Sequence, residues 1–105
     1  MKIISELEIT GVLELQLFHN QDERGNFYKS WHLPTLAELG IEFVVKECFW
    51  SFSKKGCIRG MHFQIHPYAQ KKLICCQQGL ILDVLLDLRK GSNTHGKSIS
   101  LELSG

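Results

Sequence analysis

Two stretches of this chain obey a strict two-residue apolar period. Leu13, Leu15 and Leu17 alternate with Glu14 and Gln16, and Ile99, Leu101 and Leu103 alternate with Ser98, Ser100 and Glu102. Period two sends successive side chains to opposite faces of a pleated ribbon, so each stretch predicts a half-buried strand with its leucines toward a core. A helix would scatter the same residues around its axis.

The segments between them predict more strands. Residues 26–32, with Phe27, Tyr28 and Trp31, have strand composition and follow a polar loop expected over residues 19–25. Pro34 near the start and Gly40 just past the end bracket Thr35-Leu36-Ala37-Glu38-Leu39 as one short helix. Residues 41–53 are rich in Val, Ile, Phe and Trp without clean alternation, which suggests a strand covered on both faces or one with an irregularity. Lys54-Lys55-Gly56 should turn it, residues 57–64 should pair back, and His66-Pro67-Tyr68 should end that strand. Residues 71–77 and 80–88 flank Gln78-Gly79 and predict a hairpin. Seven or eight short strands with one short helix make an all-β sandwich or barrel, in one domain over residues 1–105. The chain stops on a strand, and an open sheet edge needs covering, so a homodimer is expected.

Composition excludes several function classes. Lys and Arg number 12 against 11 acids, a net charge of +1, which provides no concentrated positive field for nucleic acid or an anionic membrane. No apolar run approaches the roughly 20 residues that span a bilayer, and the N-terminus carries no signal-peptide pattern, so a cytoplasmic protein is expected. Cys48, Cys57, Cys75 and Cys76 contain no Cys-x-x-Cys pair and are expected to be reduced core residues.

Chemistry concentrates in Ile58-Arg59-Gly60-Met61-His62-Phe63-Gln64. Strict alternation would set His62 with Ile58, Gly60 and Gln64, and Arg59 on the opposite face. The two share a pocket only if the strand bulges or twists, which Gly60 allows most cheaply. The structural alternative is a solvated Arg59 and a hydrogen-bonded core His62. Lys72 on the next strand either snorkels to solvent or stands beside an oxyanion. Asp83 and Asp87 share a face of the apolar run 80–88, where a carboxylate needs a partner, and Arg89 makes a structural ion pair with Asp87 the expectation. Gln64 stands two residues after His62, where a metal-binding barrel would have a second histidine, so no catalytic metal is expected.

Four motifs, in order, resemble the dTDP-4-dehydrorhamnose 3,5-epimerase family. They are Asp22-Glu23-Arg24-Gly25-Asn26-Phe27, then Ser51-Phe52-Ser53 through Arg59-Gly60-Met61-His62-Phe63-Gln64, then Ala69-Gln70-Lys71-Lys72-Leu73, and finally Gly79 through Asp83 and Asp87-Leu88-Arg89-Lys90-Gly91-Ser92. The resemblance implies a cupin-type jelly-roll β-sandwich, C-terminally shortened, dimeric and working without a cofactor. It implies a nucleotide-linked 4-keto-6-deoxy sugar as substrate. His62 would match the base that removes a proton beside the keto group, and Lys72 would stand near the oxygen where enolate charge develops. Arg24 and Arg59 would hold the diphosphate and its neighbours, and Phe18, Phe27, Glu47 and Gln64 complete the implied substrate-binding set.

The chain also departs from that family. Glu47-Cys48-Phe49 stands where Gln-Asp-Asn is usual, and Lys29 where a glutamate is usual. The family's tyrosine acid and the aspartate that orients its histidine match no position here. An acid within hydrogen-bond reach of His62 is expected to replace that aspartate, with Asp83 the first candidate because it faces out of an apolar strand. Two other functions fit the same motifs: a ketoisomerase using the same enolate, and a catalytically silent scaffold that binds a nucleotide sugar or a partner protein.

Overall fold

The computed structural model describes all 105 residues. Its regular elements are six strands and one helix: β1 (Lys2–Glu6), β2 (Leu13–Gln16), β3 (Phe18–Asp22), β4 (Gly25–Lys29), α1 (Leu33–Glu38), β5 (Leu80–Leu86) and β6 (Ser98–Ser104). The strands pair antiparallel as β1–β2, β3–β4 and β5–β6.

Both alternating stretches form strands. In β6, Ile99, Leu101 and Leu103 are half-buried while Ser98, Ser100, Glu102 and Ser104 are exposed. They pair with Leu85, Asp83 and Ile81 of β5 respectively, so one face of this hairpin carries the apolar contacts. The partner of β5 differs from expectation, since residues 71–77 do not form the other arm. β1 was not expected at all. It pairs with β2 through a register irregularity between Ile3 and Ser5, with the Ser5 hydroxyl donating to Glu14 Oε2 at 3.1 Å.

The expected polar loop over residues 19–25 is mostly strand. β3 runs to Asp22 and turns at Glu23-Arg24 into β4, with Asp22 opposite Gly25. Every residue of both strands is exposed, so nothing in the polarity of His19-Asn20-Gln21 opposes a ribbon wet on both faces. Gly25, at φ +122°, supplies the left-handed backbone that closes the turn. Asp22 Oδ1 accepts from the Arg24 N–H at 2.9 Å, a local Asx-type bond.

The helix forms where proline and glycine placed it. Gly40, at φ +72°, follows the C-cap Leu39. Gly40 N–H donates to the Ala37 carbonyl at 2.9 Å and Ile41 N–H to the Leu36 carbonyl at 2.8 Å, the bond pair of a Schellman stop. Leu36 is buried inside this turn.

Residues 41–79 hold no paired strand. The strands expected over residues 41–53, 57–64 and 71–77 are absent as ladders. Among the backbone bonds outside regular elements, this segment contributes the turn bonds Cys57 N–H to Lys54 O at 3.1 Å and Tyr68 N–H to Ile65 O at 2.8 Å. The chain contains 31 backbone bonds in all, against about 70 for a typical domain of this length. Composition supports extended backbone here, but a ladder needs a second strand at hydrogen-bonding distance along its length, and from the end of β6 only Gly105 N–H reaches this segment, at the Gly79 carbonyl, 3.1 Å.

The surface reflects the same deficit. The accessible area is 9136 Å², whereas a compact monomer of this mass exposes about 6,000 Å². The radius of gyration is 15.2 Å against about 13 Å for a compact domain. Only Ile9, Leu36 and Asp87 are buried. Two of them lie where the β1–β2 loop meets the loop before β6, an approach joined by the Glu8–Lys97 ion pair. The four cysteines are free thiols, as expected, but not core residues. Cys48 and Cys57 are exposed and Cys75 and Cys76 half-buried, because the segment carrying them has no sheet packed over it.

Candidate functional site

The β3–β4 hairpin positions three of the expected binding residues. In its register Phe18 faces Lys29 and Asn20 faces Phe27, which sets Phe18 and Phe27 diagonally on one face. Their rings meet edge to face at 6.4 Å, and Lys29 Nζ lies 5.6 Å from the Phe18 ring centroid. On the other face His19 stacks on Tyr28 at 4.5 Å and its Nε2 contacts Asn26 Oδ1 at 2.8 Å. Arg24, at the turn, folds back on Asp22 with Nη2 at 2.5 Å from Oδ2. This contact holds the Asp22 carboxyl below its ordinary range and raises the guanidinium.

Arg59 is held across the Lys54–Cys57 turn, its Nε donating to Ser53 Oγ at 2.9 Å. The Ser53 hydroxyl was not singled out from sequence as a partner, although it belongs to the Ser-x-Ser motif. Gly60 follows at φ +133°, a conformation that side-chain-bearing residues rarely adopt. It redirects the chain between Arg59 and Met61, though not as a bulge in a ladder. Gln64 lines an open hollow of about 360 Å³ with Phe63, Ile65 and Tyr68.

His62, Lys72 and Glu47 are exposed. The expected contact between Asp83 and His62 is not formed. The ion pairs of the chain are Arg24–Asp22, Arg89–Asp87 and Lys97–Glu8, and His62 has no carboxylate partner. Asp83 lies half-buried in β5 opposite Leu101, whereas Arg59 and His62 lie in the unpaired segment 41–79. Lys71, beside Lys72, donates to the Glu42 carbonyl at 2.8 Å and ties residues 71–72 to the segment that carries Glu47.

The Asp87–Arg89 pair is structural, as expected, and larger than two residues. Asp87 Oδ2 also accepts from Ser92 Oγ and Thr94 Oγ1, each at 2.7 Å. The carboxylate and its arginine were legible from sequence; the hydroxyls that complete its satisfaction come from the following loop.

Comparison with known proteins places these residues in a lineage. The family model described as dTDP-4-dehydrorhamnose 3,5-epimerase matches residues 6–105. The chain belongs to this family. A dTDP-4-dehydrorhamnose 3,5-epimerase of Shigella flexneri is 39% identical over 104 residues, covering 96% of this chain and 56% of that protein. A dTDP-4-dehydrorhamnose 3-epimerase of Streptomyces niveus is 37% identical over 91 residues, 86% of this chain and 44% of that protein. The crystal structure of the 3,5-epimerase from Bacillus anthracis, with TDP and PPi bound, superposes with a TM-score of 0.84 at 40% identity, covering 98% of this chain and 59% of that one. The chain therefore spans about half the length of the curated relatives it matches, and its fold class is the cupin-type all-β fold of this neighbour. No helix is long and apolar enough to cross a membrane.

Proposed function

We propose that this chain takes part in dTDP-sugar epimerisation, binding a dTDP-linked 4-keto-6-deoxyhexose and removing a proton beside its keto group with His62. The observation that carries this reading is the superposition on the Bacillus anthracis 3,5-epimerase, whose structure has TDP bound. A ketone acidifies the hydrogens on its neighbouring carbons, and their removal leaves an enolate. His62 is the base in this proposal, and Lys72 supplies positive charge where the enolate oxygen forms. Arg24 and Arg59 bind the diphosphate, Phe18 and Phe27 provide an aromatic face, and Glu47 and Gln64 contact sugar hydroxyls.

Arg59 is the better-prepared of the two arginines. Its partner is a neutral hydroxyl, so its charge remains uncompensated. Arg24 must exchange Asp22 for the ligand. The chain works in the cytoplasm in this reading, where nucleotide sugars are made.

A second copy covers the excess apolar surface in this proposal. Ile58, Phe52 and Val44 are 93%, 85% and 76% exposed. The total surface beyond that of a compact monomer is about 3,000 Å² per chain, about 6,000 Å² for two copies, at the upper end of obligate interfaces.

The deciding experiment incubates the protein with dTDP-4-keto-6-deoxyglucose in deuterated water. Deuterium entering at C3 or C5, and its loss in His62→Ala, is the expected result. Absence of exchange above a buffer control, with thymidine diphosphate still bound, would convert the reading to a silent nucleotide-sugar scaffold. That alternative draws support from the absence of a carboxylate partner for His62.

A further inference from the structure

Residues 41–79 make three side-chain hydrogen bonds, and two of them are local, Arg59 to Ser53 and Cys76 to Gln78. The third spans 29 positions: Lys71 Nζ donates to the Glu42 carbonyl at 2.8 Å. Its acceptor is held from both sides. Before Glu42, the Ile41 N–H donates to the Leu36 carbonyl at 2.8 Å, and Leu36 is buried inside the stop of α1. After Glu42, the half-buried Phe43 ring lies against half-buried Trp31, with centroids 5.2 Å apart. A donor bonded to the Glu42 carbonyl is thereby tied to the end of the helix.

We infer that Lys71 is a positioning residue, which holds its neighbour Lys72 for the oxyanion by gripping the Glu42 carbonyl. The role of Lys72 rests on the epimerase reading, whereas the hold rests on the Lys71–Glu42 bond. Consecutive Cα atoms across a trans peptide stay about 3.8 Å apart, so fixing residue 71 leaves residue 72 only its nearest backbone dihedrals and its own side chain to vary. Lys72 itself is exposed and belongs to none of the three ion pairs, so its ammonium is free for a ligand oxygen.

The need for such a hold follows from the fold. An ammonium stabilises a developing oxyanion best when it is already aimed there, because ordering a loose chain during the reaction costs entropy. Residues 71–77 pair with no strand, so no ladder restrains their backbone. The Lys71 bond supplies a restraint that sheet pairing supplies elsewhere in the chain. A lysine suits this task, with three rotatable donors on a flexible four-carbon stem. Because Lys71 acts through Lys72 and touches no substrate in this account, its loss should lower kcat and leave KM nearly unchanged.

The test compares the parent chain with Lys71→Met, which keeps an apolar stem without a donor, and Lys71→Arg, which keeps a donor. Lys71 is exposed, so neither substitution disturbs a core. Amide relaxation by NMR should show Lys72 ordered in the parent and in Lys71→Arg, near an order parameter of about 0.85, and falling toward about 0.6 in Lys71→Met. The amides of α1 should stay ordered in all three. In deuterium exchange with dTDP-4-keto-6-deoxyglucose, Lys71→Met should lower kcat about tenfold with KM held within about twofold, and Lys71→Arg should recover most of the loss. Equal kcat in the parent and Lys71→Met would overturn the inference, and so would a Lys72 amide equally ordered in all three chains. A parent that catalyses no exchange would sink the epimerase reading and with it the role of Lys72, while the hold of Lys71 on residue 72 would still stand or fall on the order parameter. The two failures are therefore separately visible.

Discussion

Arg89 closes on Asp87 from two directions. Its backbone N–H and its Nε each donate to Oδ1 at 2.9 Å, while Nη2 donates to Oδ2 at 2.8 Å. With the hydroxyls of Ser92 and Thr94 on the same carboxylate, the loop from β5 to β6 is organised around one buried charge. Arg89 foremost, then Ser92, holds that carboxyl far below the ordinary carboxylate range.

This predicts a specific acid sensitivity. In the unfolded chain Asp87 takes a proton near about pH 3.9, while in the folded chain it resists protonation to much lower pH. Its stabilisation is therefore complete above the unfolded value and declines as pH falls from there toward the folded one. Asp87→Asn should lower the thermal midpoint by several degrees at neutral pH and flatten the decline below about pH 4. An unchanged acid limb in this variant would contradict the account.

The proposed base and oxyanion partner make a prediction on exchange. His62→Ala should abolish deuterium incorporation, and Lys72→Ala should slow it by about 10²–10³-fold. His62 lacks an orienting acid, so exchange by the parent chain should itself be slow, on the order of 10³–10⁴ below an oriented histidine. Asp83→Asn should change the exchange little, since Asp83 does not touch His62.

Diphosphate binding should distinguish the two arginines. Arg59→Ala should weaken thymidine diphosphate binding about tenfold or more, the scale of one charge-assisted hydrogen bond. Arg24→Ala should weaken it less, because Arg24 must first give up Asp22. Isothermal titration of the two variants measures the difference, and equal losses would remove the argument for Arg59.

The uncovered surface predicts association. Sedimentation at micromolar concentration should detect an oligomer, and Ile58→Asp together with Phe52→Asp should shift it toward smaller species. A monomer that remains soluble and folded would contradict the homodimer.

The helix stop provides a stability test away from the site. Gly40 adopts φ +72°, where an L side chain is strained by roughly 1–2 kcal/mol. Gly40→Ala should destabilise the protein by about that amount in denaturant titrations, with no change in thymidine diphosphate affinity.

Much of the local structure was legible in particular residues. Ile99, Leu101 and Leu103 marked β6, Phe27 and Tyr28 marked β4, and Pro34 with Gly40 bounded α1, because period, aromatic content and capping are properties of neighbouring residues. β3 was hidden because His19-Asn20-Gln21 is polar on both sides, and a fully exposed ribbon leaves no apolar alternation to read. The proposed site residues were legible as motifs, yet their contacts were not. Nothing near Arg59 in the pattern announced Ser53 as its partner, and an apolar strand with an aspartate at 83 suggested a contact with His62 that the chain does not make.

By itself the sequence determined which segments prefer extended backbone, where the turns and the helix stop fall, and which family's motifs the chain carries. Only the tertiary structure decided which strands pair: β5 with β6 rather than with residues 71–77, and no partner for residues 41–79. It also decided that Ser92 and Thr94 join Arg89 on Asp87, while His62 has no acid beside it. The physical reason is one of range. Propensity and period act between residues a few positions apart, whereas a ladder bond or an ion pair exists only where distant parts of the chain come within about 3 Å.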